Sequence, residues 1–380
     1  MRTIYLDNAA TSFPKPVAVG PAMLRYLQQE GAPVGRSAYA AARRADGVVY
    51  DLRERLCRFF HFAHPDHAIL TSGATFGLNL VLQGALGRGG HCIVSALEHN
   101  AVMRPLNQMA DRGVSFDRIP CDGEGRLNLA ALPGLFRPDT KLVVVAHGSN
   151  LCGVVQDLAG VAELCRARGV PLVADCAQTA GHLDIDMTAL GLSALVVPGH
   201  KGLLGPGGVG AVLLDPAFAK RIPPLTTGGT GSRSDLELQP DLMPDRFESG
   251  TPNVPGIYGL NASLEFLETV GLERIRAHEV ALMERFLSGM GEVDGVRLLG
   301  PKTTENRVGV FALDFEGRDN AEAAFRLETE YGILTRCGLH CAPAAHRALG
   351  TYPQGSVRLS FSYFTTGDEV DAAIQAVKAV

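Results

Sequence analysis

"HAILTSGATFGLNLVLQGAL", residues 67–86, changes its period half-way along. A short apolar run, Ala68–Leu70, gives way at Thr71–Thr75 to small and polar residues, and an apolar run of helical length follows. A strand that ends in a glycine-bounded turn and opens a helix is the first half of a βαβ unit. The pattern then recurs: "CIVSAL" leads to "EHNAVMRPLNQMADRG", "KLVVVAH" to "GSNLCG", and "LAGVAELCRARG" precedes the strand "VPLVADC". "ALVVPGHKGLLGPGG" and "VGAVLL" read as strand, glycine loop and strand. The fold class is therefore α/β with a largely parallel sheet.

After about residue 256 the text changes to one long helical stretch, "GLNASLEFLETVGLERIRAHEVALMERFLSG". The strand "RVGVFALDF", the helix "NAEAAFRLETEYG", the strand "SVRLSFSYF" and a last helix follow. That last helix opens with a capping box, Thr366 followed three residues on by Glu369. The expected organisation is a larger α/β unit, residues 16–262, a smaller α+β unit, 263–380, and an N-terminal segment, 1–15, that joins them.

The net charge of -5 comes from 35 basic and 40 acidic residues spread along 380 positions, with no basic block. Nucleic acid and anionic membrane surfaces are thereby disfavoured as partners. No apolar run approaches the roughly 20 residues of a membrane helix, and the first residues lack a signal-like apolar stretch, so a cytoplasmic protein is expected. The cysteines at 57, 92, 121, 152, 165, 176, 337 and 341 show no disulfide framework.

Each loop after a strand carries small or polar residues: Thr71–Thr75, Glu98 and His99, Asn150, Asp175–Gln178, His200 and Lys201. In an open α/β sheet, ligands bind outside the carboxyl ends of the strands, so these groups converge on one edge. "TSGAT" exposes helix N-terminal N–H groups, which suits a phosphate or a structural turn. Asp175 follows an apolar strand, where a carboxylate needs a cation, a donor or a helix to cap. Lys201, set among glycines, suits a Schiff base with an aldehyde cofactor, or is a surface loop lysine. His99 suits stacking on a flat ring or capping a helix.

Taken in order, "YLDNAATS", "TSGAT", "EHNAV", "SNLCG", "ADCAQ", "GHKGLLGP", "RFESGTPN", "RCGLHCA" and "VRLSFSYF" resemble the class V aminotransferase fold of pyridoxal phosphate enzymes. Within it they resemble the cysteine desulfurase and selenocysteine lyase family, from residue 5 to residue 364. The resemblance implies fold type I, the aspartate aminotransferase-like architecture, with a large cofactor-binding domain and a small C-terminal one. It implies that Lys201 holds pyridoxal 5'-phosphate, that Asp175 pairs with the pyridine nitrogen, that His99 stacks on the ring, and that Gln178 bonds the phenolic oxygen. Ala74, Thr75 and His200 would hold the phosphate, and Thr251 would reach the phosphate of the other subunit of a homodimer. Asn150, among the cofactor-site residues, would join Arg358 in binding the substrate carboxylate, although a structural ion pair also explains an arginine in an apolar strand.

Cys341 falls at the family's persulfide-forming cysteine, in the "R-x-G-x-H-C-A" form. The implied reaction takes sulfur from L-cysteine, leaves L-alanine, and passes the sulfur from Cys341 to an acceptor protein. L-selenocysteine is the alternative substrate, and transamination or β-elimination the alternative reactions. A catalytically silent redox sensor acting through Cys337 and Cys341 is a reading from another class. A neighbouring imidazole, His340, can favour a thiolate or point away. A zinc set of Cys337, His340, Cys341 and His346 is disfavoured because adjacent ligands chelate awkwardly, and no metal is expected. Pro198 and Tyr39 depart from the family pattern, where a hydroxyl residue and a histidine are common. "GGTGSRSDLELQP" is expected to lie over the site as a mobile loop.

Overall fold

The computed structural model describes residues 3–291 and 293–380. A seven-stranded sheet is built from β2 (Ala68–Thr71), β3 (Gly90–Ser95), β4 (Val114–Ile119), β5 (Thr140–Ala146), β6 (Leu172–Asp175), β7 (Ala194–Pro198) and β8 (Gly210–Leu214), after the short β1 (Ile4–Tyr5). Its spatial order is β2-β8-β7-β6-β5-β3-β4; β8 alone runs antiparallel to its neighbours. Strands covered on both faces read as near-continuous apolar runs, as "LVVVA" and "ALVVP" do. Alternate residues feed two separate cores: Val143, Val145, Ala174, Leu195 and Val197 pack on one face. Leu142, Val144, Val173, Ala194 and Val196 pack on the other.

The C-terminal strands are β9 (Val296–Leu299), β10 (Val310–Phe315), β11 (Ile333–Leu334), β12 (Arg336–Gly338) and β13 (Ser356–Ser360). β12-β13-β10-β9 form an antiparallel sheet, and β11 pairs in parallel with β1. Helices Leu272–Met290 and Gly367–Ala379 pack on each other and share a core with this sheet. Phe286, Phe311 and Phe361 lie at its centre, with ring centroids 4.4–5.5 Å apart. Ile4 and Leu6 are buried there, so the N-terminal segment belongs to the C-terminal core before it crosses to the large sheet.

The capping box at Thr366 forms in full. The long helical stretch does not stay whole. Gly271, at φ +84 and ψ +133, leaves helical geometry and splits it into helices Val254–Val270 and Leu272–Met290. The expected division at 262/263 falls inside the first of these. Among the described residues no helix is long and apolar enough to cross a membrane.

Candidate active site

Every parallel strand of the large sheet ends on the same edge, and its polar loops line one cavity of about 370 Å³. Ala74, Thr75, His99, Asn150, Asp175, Gln178, His200, Lys201 and Arg358 all line it. Nine residues spread over 285 positions are brought together by the connectivity of the fold.

At one end lies the N-terminus of helix Ala74–Leu86. Its N-cap, Gly73, sits at φ +143 and supplies no side-chain cap, so the first-turn N–H groups are left for a ligand. At the other end Asp175, the last residue of β6, is buried, and its Oδ1 accepts from the Ala177 N–H at 3.0 Å. Burial pushes this carboxyl upward, while the Ala177 N–H and Lys201 pull it back. Nothing in the described residues bonds its second oxygen, the position a ring N–H would take.

Lys201 follows β7 and its Nζ has no hydrogen-bond partner among the described residues. Burial first, then the charges of Arg358 and Arg336, lower it to about 8 against the opposing pull of Asp175. About a tenth of the amine is thus neutral near pH 7, far more than for a free lysine, and this is the form needed for a nucleophile or a base. His99 caps helix Asn100–Gln108, and its Nδ1 accepts the Ala101 N–H at 2.9 Å. Burial and the nearby Lys201 hold this ring at about 4, so it is a neutral imidazole with its proton on Nε2. Stacking and capping are therefore compatible. Gln178 anchors the N-terminal segment, donating to the Ala9 carbonyl at 3.1 Å. The His200 carbonyl accepts from Ser12 N–H and Lys15 Nζ, both at 2.9 Å.

Arg358 is 1% exposed and already engaged: Nη2 pairs with Asp7 at 2.7 Å and Nη1 donates to the Asn150 carbonyl at 2.9 Å. The structural ion pair is present, and only Nε lacks a partner. Asn150 is engaged too, its Nδ2 donating to the His340 carbonyl at 2.6 Å. A residue the sequence argument passed over stands beside them. Arg336, register partner of Arg358 across β12 and β13, lines the cavity and donates from Nη2 to Cys341 Sγ at 3.9 Å. It was legible as the first letter of "RCGLHCAP", but only the antiparallel pairing puts it beside Arg358.

Cys341 is exposed just outside the cavity lining, in the left-handed region at φ +57, and its carbonyl accepts from Asn100 N–H at 2.7 Å. His340 does not serve it. That ring is buried, bonds Ser356 O through Nε2 at 3.1 Å, stacks on His346, and is pushed to about 2 by burial. Cys337 lies one residue from Arg336 on β12, so its side chain leaves the opposite face, toward helix Asn320–Tyr331.

Two expected features lie elsewhere. Thr251 lines a second cavity, of about 520 Å³, that meets the first at Ser72, Phe76 and Gly208. The loop 228–240 does not cover the site within this chain: Gly229 and Gly231 rest on Arg36 and Gly35. Pro198 lines the cavity without a hydroxyl, and Tyr39 is exposed.

A family model described as aminotransferase class-V matches residues 4–373. The chain belongs to this family. A probable cysteine desulfurase of Methanothermobacter thermautotrophicus is 31% identical over 97% of this chain and 92% of its own length. A cysteine desulfurase of Dickeya dadantii is 32% identical over 99% and 91%. The apo structure of the cysteine desulfurase from Thermococcus onnurineus NA1 superposes with a TM-score of 0.93 at 30% identity, covering 99% of this chain and 94% of that one. Within the class V aminotransferase family the chain therefore stands in the cysteine desulfurase branch, a pyridoxal phosphate-dependent group, and its fold is the fold type I of those enzymes.

Proposed function

We propose that this chain is a pyridoxal phosphate-dependent cysteine desulfurase that converts L-cysteine to L-alanine and a persulfide on Cys341. The observation that carries the reading is the placement of an exposed thiol, held by Arg336, at the mouth of a cavity that holds Lys201 and Asp175. The residues fit the cofactor: an uncapped helix N-terminus suits its phosphate, the unbonded oxygen of Asp175 its pyridine nitrogen, and the unpartnered Lys201 Nζ its aldehyde. When bound, pyridoxal phosphate supplies an electron sink that acidifies the substrate Cα–H and labilises the Cβ–S bond.

The chain's own groups supply the rest. Asp175 would hold positive charge at the ring nitrogen, and His99, a neutral imidazole, would stack on the ring. Gln178 would bond the phenolic oxygen, and Ala74, Thr75 and His200 would hold the phosphate. Lys201 Nζ takes the Cα proton, a task for which its lowered pKa suits it. Asn150, Arg358 and Arg336 orient the substrate carboxylate; Arg336 is the guanidinium with no carboxylate partner among the described residues. Cys341 Sγ takes the sulfur. The substrate is L-cysteine, with L-selenocysteine the closest alternative.

A homodimer is part of the proposal. Thr251 lies in the neighbouring cavity, and the exposed Leu236, Leu238 and Leu242 offer a face for a second copy. The units 16–262 and 263–380, sharing helix Val254–Val270 and tied by segment 1–15, are the proposed domains.

The test quantifies sulfide, alanine and pyruvate from L-cysteine under excess reductant, in the wild type and in Cys341→Ala. Equal alanine and sulfide, falling at least about a hundredfold in the variant while its cofactor absorbance stays, is expected. Pyruvate in place of alanine, or full turnover in Cys341→Ala, sinks the desulfurase reading in favour of β-elimination.

A further inference from the structure

One main-chain oxygen beside Lys201 collects more donors than its two lone pairs can use. The His200 carbonyl accepts from Ser12 N–H and Lys15 Nζ, both at 2.9 Å, and from Thr11 Oγ1 and Ser12 Oγ, both at 3.2 Å. Lys15 Nζ also donates to Ser12 Oγ at 2.7 Å, which leaves the Ser12 hydroxyl proton to turn onto the same carbonyl. This carbonyl belongs to the peptide unit whose nitrogen is that of Lys201.

Holding the N-terminal segment in place does not require this convergence. Asn8 Nδ2 donates to the Ser360 carbonyl at 2.9 Å, the Ala9 N–H to Ser360 Oγ at 2.8 Å, and Gln178 Nε2 to the Ala9 carbonyl at 3.1 Å. Within the segment, the Tyr5 hydroxyl donates to the Thr11 carbonyl at 2.8 Å, and Asn8 Oδ1 accepts from Phe13 N–H at 3.1 Å. Nor does a tether require a charge. Lys15 is half-buried, and among the described residues it has no carboxylate within 4.0 Å; its partners are two neutral oxygens. Moving an ammonium out of water onto neutral acceptors is costly, and burial lowers Lys15 to about 8.

The Lys201 loop is otherwise hydrogen-bonded close to home. Leu204 N–H donates to the Lys201 carbonyl, Gly205 N–H to that of Gly199, and Gly199 N–H to that of Val209, each at 2.8 Å. The His200 carbonyl is the point at which the N-terminal segment takes hold of it.

We propose that Lys15, with Ser12, is a positioning residue for Lys201: its charged N–H groups hold the His200 carbonyl and so fix the peptide unit from which the Lys201 side chain departs. The inference rests on the reading of Lys201 as the cofactor-bearing lysine, and adds to that site a second lysine, drawn from the N-terminal segment. A cation on the oxygen polarises the amide, and misplacing a reacting group by about 1 Å costs about a hundredfold in rate. Lys201 is lowered by burial first and by the charges of Arg358 and Arg336, against Asp175 and Cys341, and each of these depends on where Nζ sits. A loop released from its anchor lets Nζ toward water, where it keeps its proton to higher pH.

The test is made on the holoenzyme. The visible band of the bound cofactor is titrated against pH, because its midpoint reports the proton on the Lys201 nitrogen. In Lys15→Met the midpoint should rise by about half a pH unit or more, and cofactor should leave on dialysis about threefold faster. Its kcat should fall about tenfold with KM for L-cysteine within about twofold. Lys15→Arg, which keeps a charged donor, should recover most of each change. Ser12→Ala, which removes the hydroxyl relay, should move the midpoint the same way by less, and carries the test alone if Lys15→Met does not fold.

An unmoved midpoint overturns the inference even where the melting temperature drops, since a tether alone gives that result. A rise that Lys15→Arg does not recover overturns it as well. Borohydride reduction of the wild type that leaves the cofactor on no residue, or on one other than Lys201, sinks the reading of Lys201 and this inference with it.

Discussion

Glu98 precedes His99 in the chain and is fully buried, with Oε1 taking the Ser95 hydroxyl at 2.5 Å and the Ala146 N–H at 2.7 Å while Oε2 has no partner. Burial pushes it up to about 8, so in the native state it is a neutral acid. An unfolded glutamate ionises near 4.3, and between these values the native state binds the extra proton. Stability from this group therefore falls as pH rises from about 4.3 through 8, by at most about 1.4 kcal/mol per pH unit. Glu98→Gln keeps an acceptor for both donors and does not titrate. Thermal midpoints from pH 6 to 8.5 should fall less steeply in the variant than in the wild type, and parallel slopes would show that Glu98 is charged in the native state. Candidate residues were legible one by one, because Lys201 and His99 follow strands and Asp175 ends one. What single positions did not disclose was engagement. That Arg358 is occupied by Asp7, that His340 faces Ser356, and that Arg336 holds the thiol all depend on contacts between distant segments.

The elements were legible where period and burial agree. β5, β6 and β7 are covered on both faces and read as apolar runs, and the capping box marked the last helix. Gly271 escaped notice because a glycine inside a helical pattern does not by itself announce a break. The loop 228–240 has composition but no period, so its resting place on Gly35 and Arg36 was not readable. Two other glycines set the position of the Lys201 loop. A Cβ on Gly202 would lie 2.2 Å from the Ala180 carbonyl, and one on Gly181 2.0 Å from that of Gly202. The Lys201 loop and the turn after Gln178 thus touch backbone to backbone, with the His182 ring packed at the same point, 2.5 Å from where a Gly202 Cβ would lie. Gly202→Ala must move one of them, at a cost of about 1–3 kcal/mol in overpacking. Lys201 moves with it. The variant should retain less than half the wild-type cofactor absorbance per chain and melt several degrees lower. Full cofactor content at an unchanged midpoint would mean that the loops do not lock each other.

On the scale of the whole molecule, five histidines are kept neutral by burial, and three of them, His99, His200 and His340, line the cavity. His99, His147, His200 and His346 are held at about 4 and His340 at about 2, each with burial as the first cause. In the unfolded chain these rings titrate near 6.5. Below that pH the unfolded state binds more protons than the native one, so stability rises with pH up to about 6.5 and is lost as pH falls from there toward 4. Each ring contributes up to about 1.4 kcal/mol per pH unit, and five acting together approach the roughly 5–15 kcal/mol that holds a folded domain. Glu98 acts in the opposite sense above pH 4.3, which places the stability maximum near neutrality. Urea midpoints from pH 7.5 down to 4.5 should therefore drop steeply below pH 6.5, with unfolding complete at low urea by about pH 5. Because the cause is burial rather than repulsion between surface charges, roughly 0.5 M salt should leave that slope in place. A slope that salt abolishes would instead assign acid unfolding to the exposed charges.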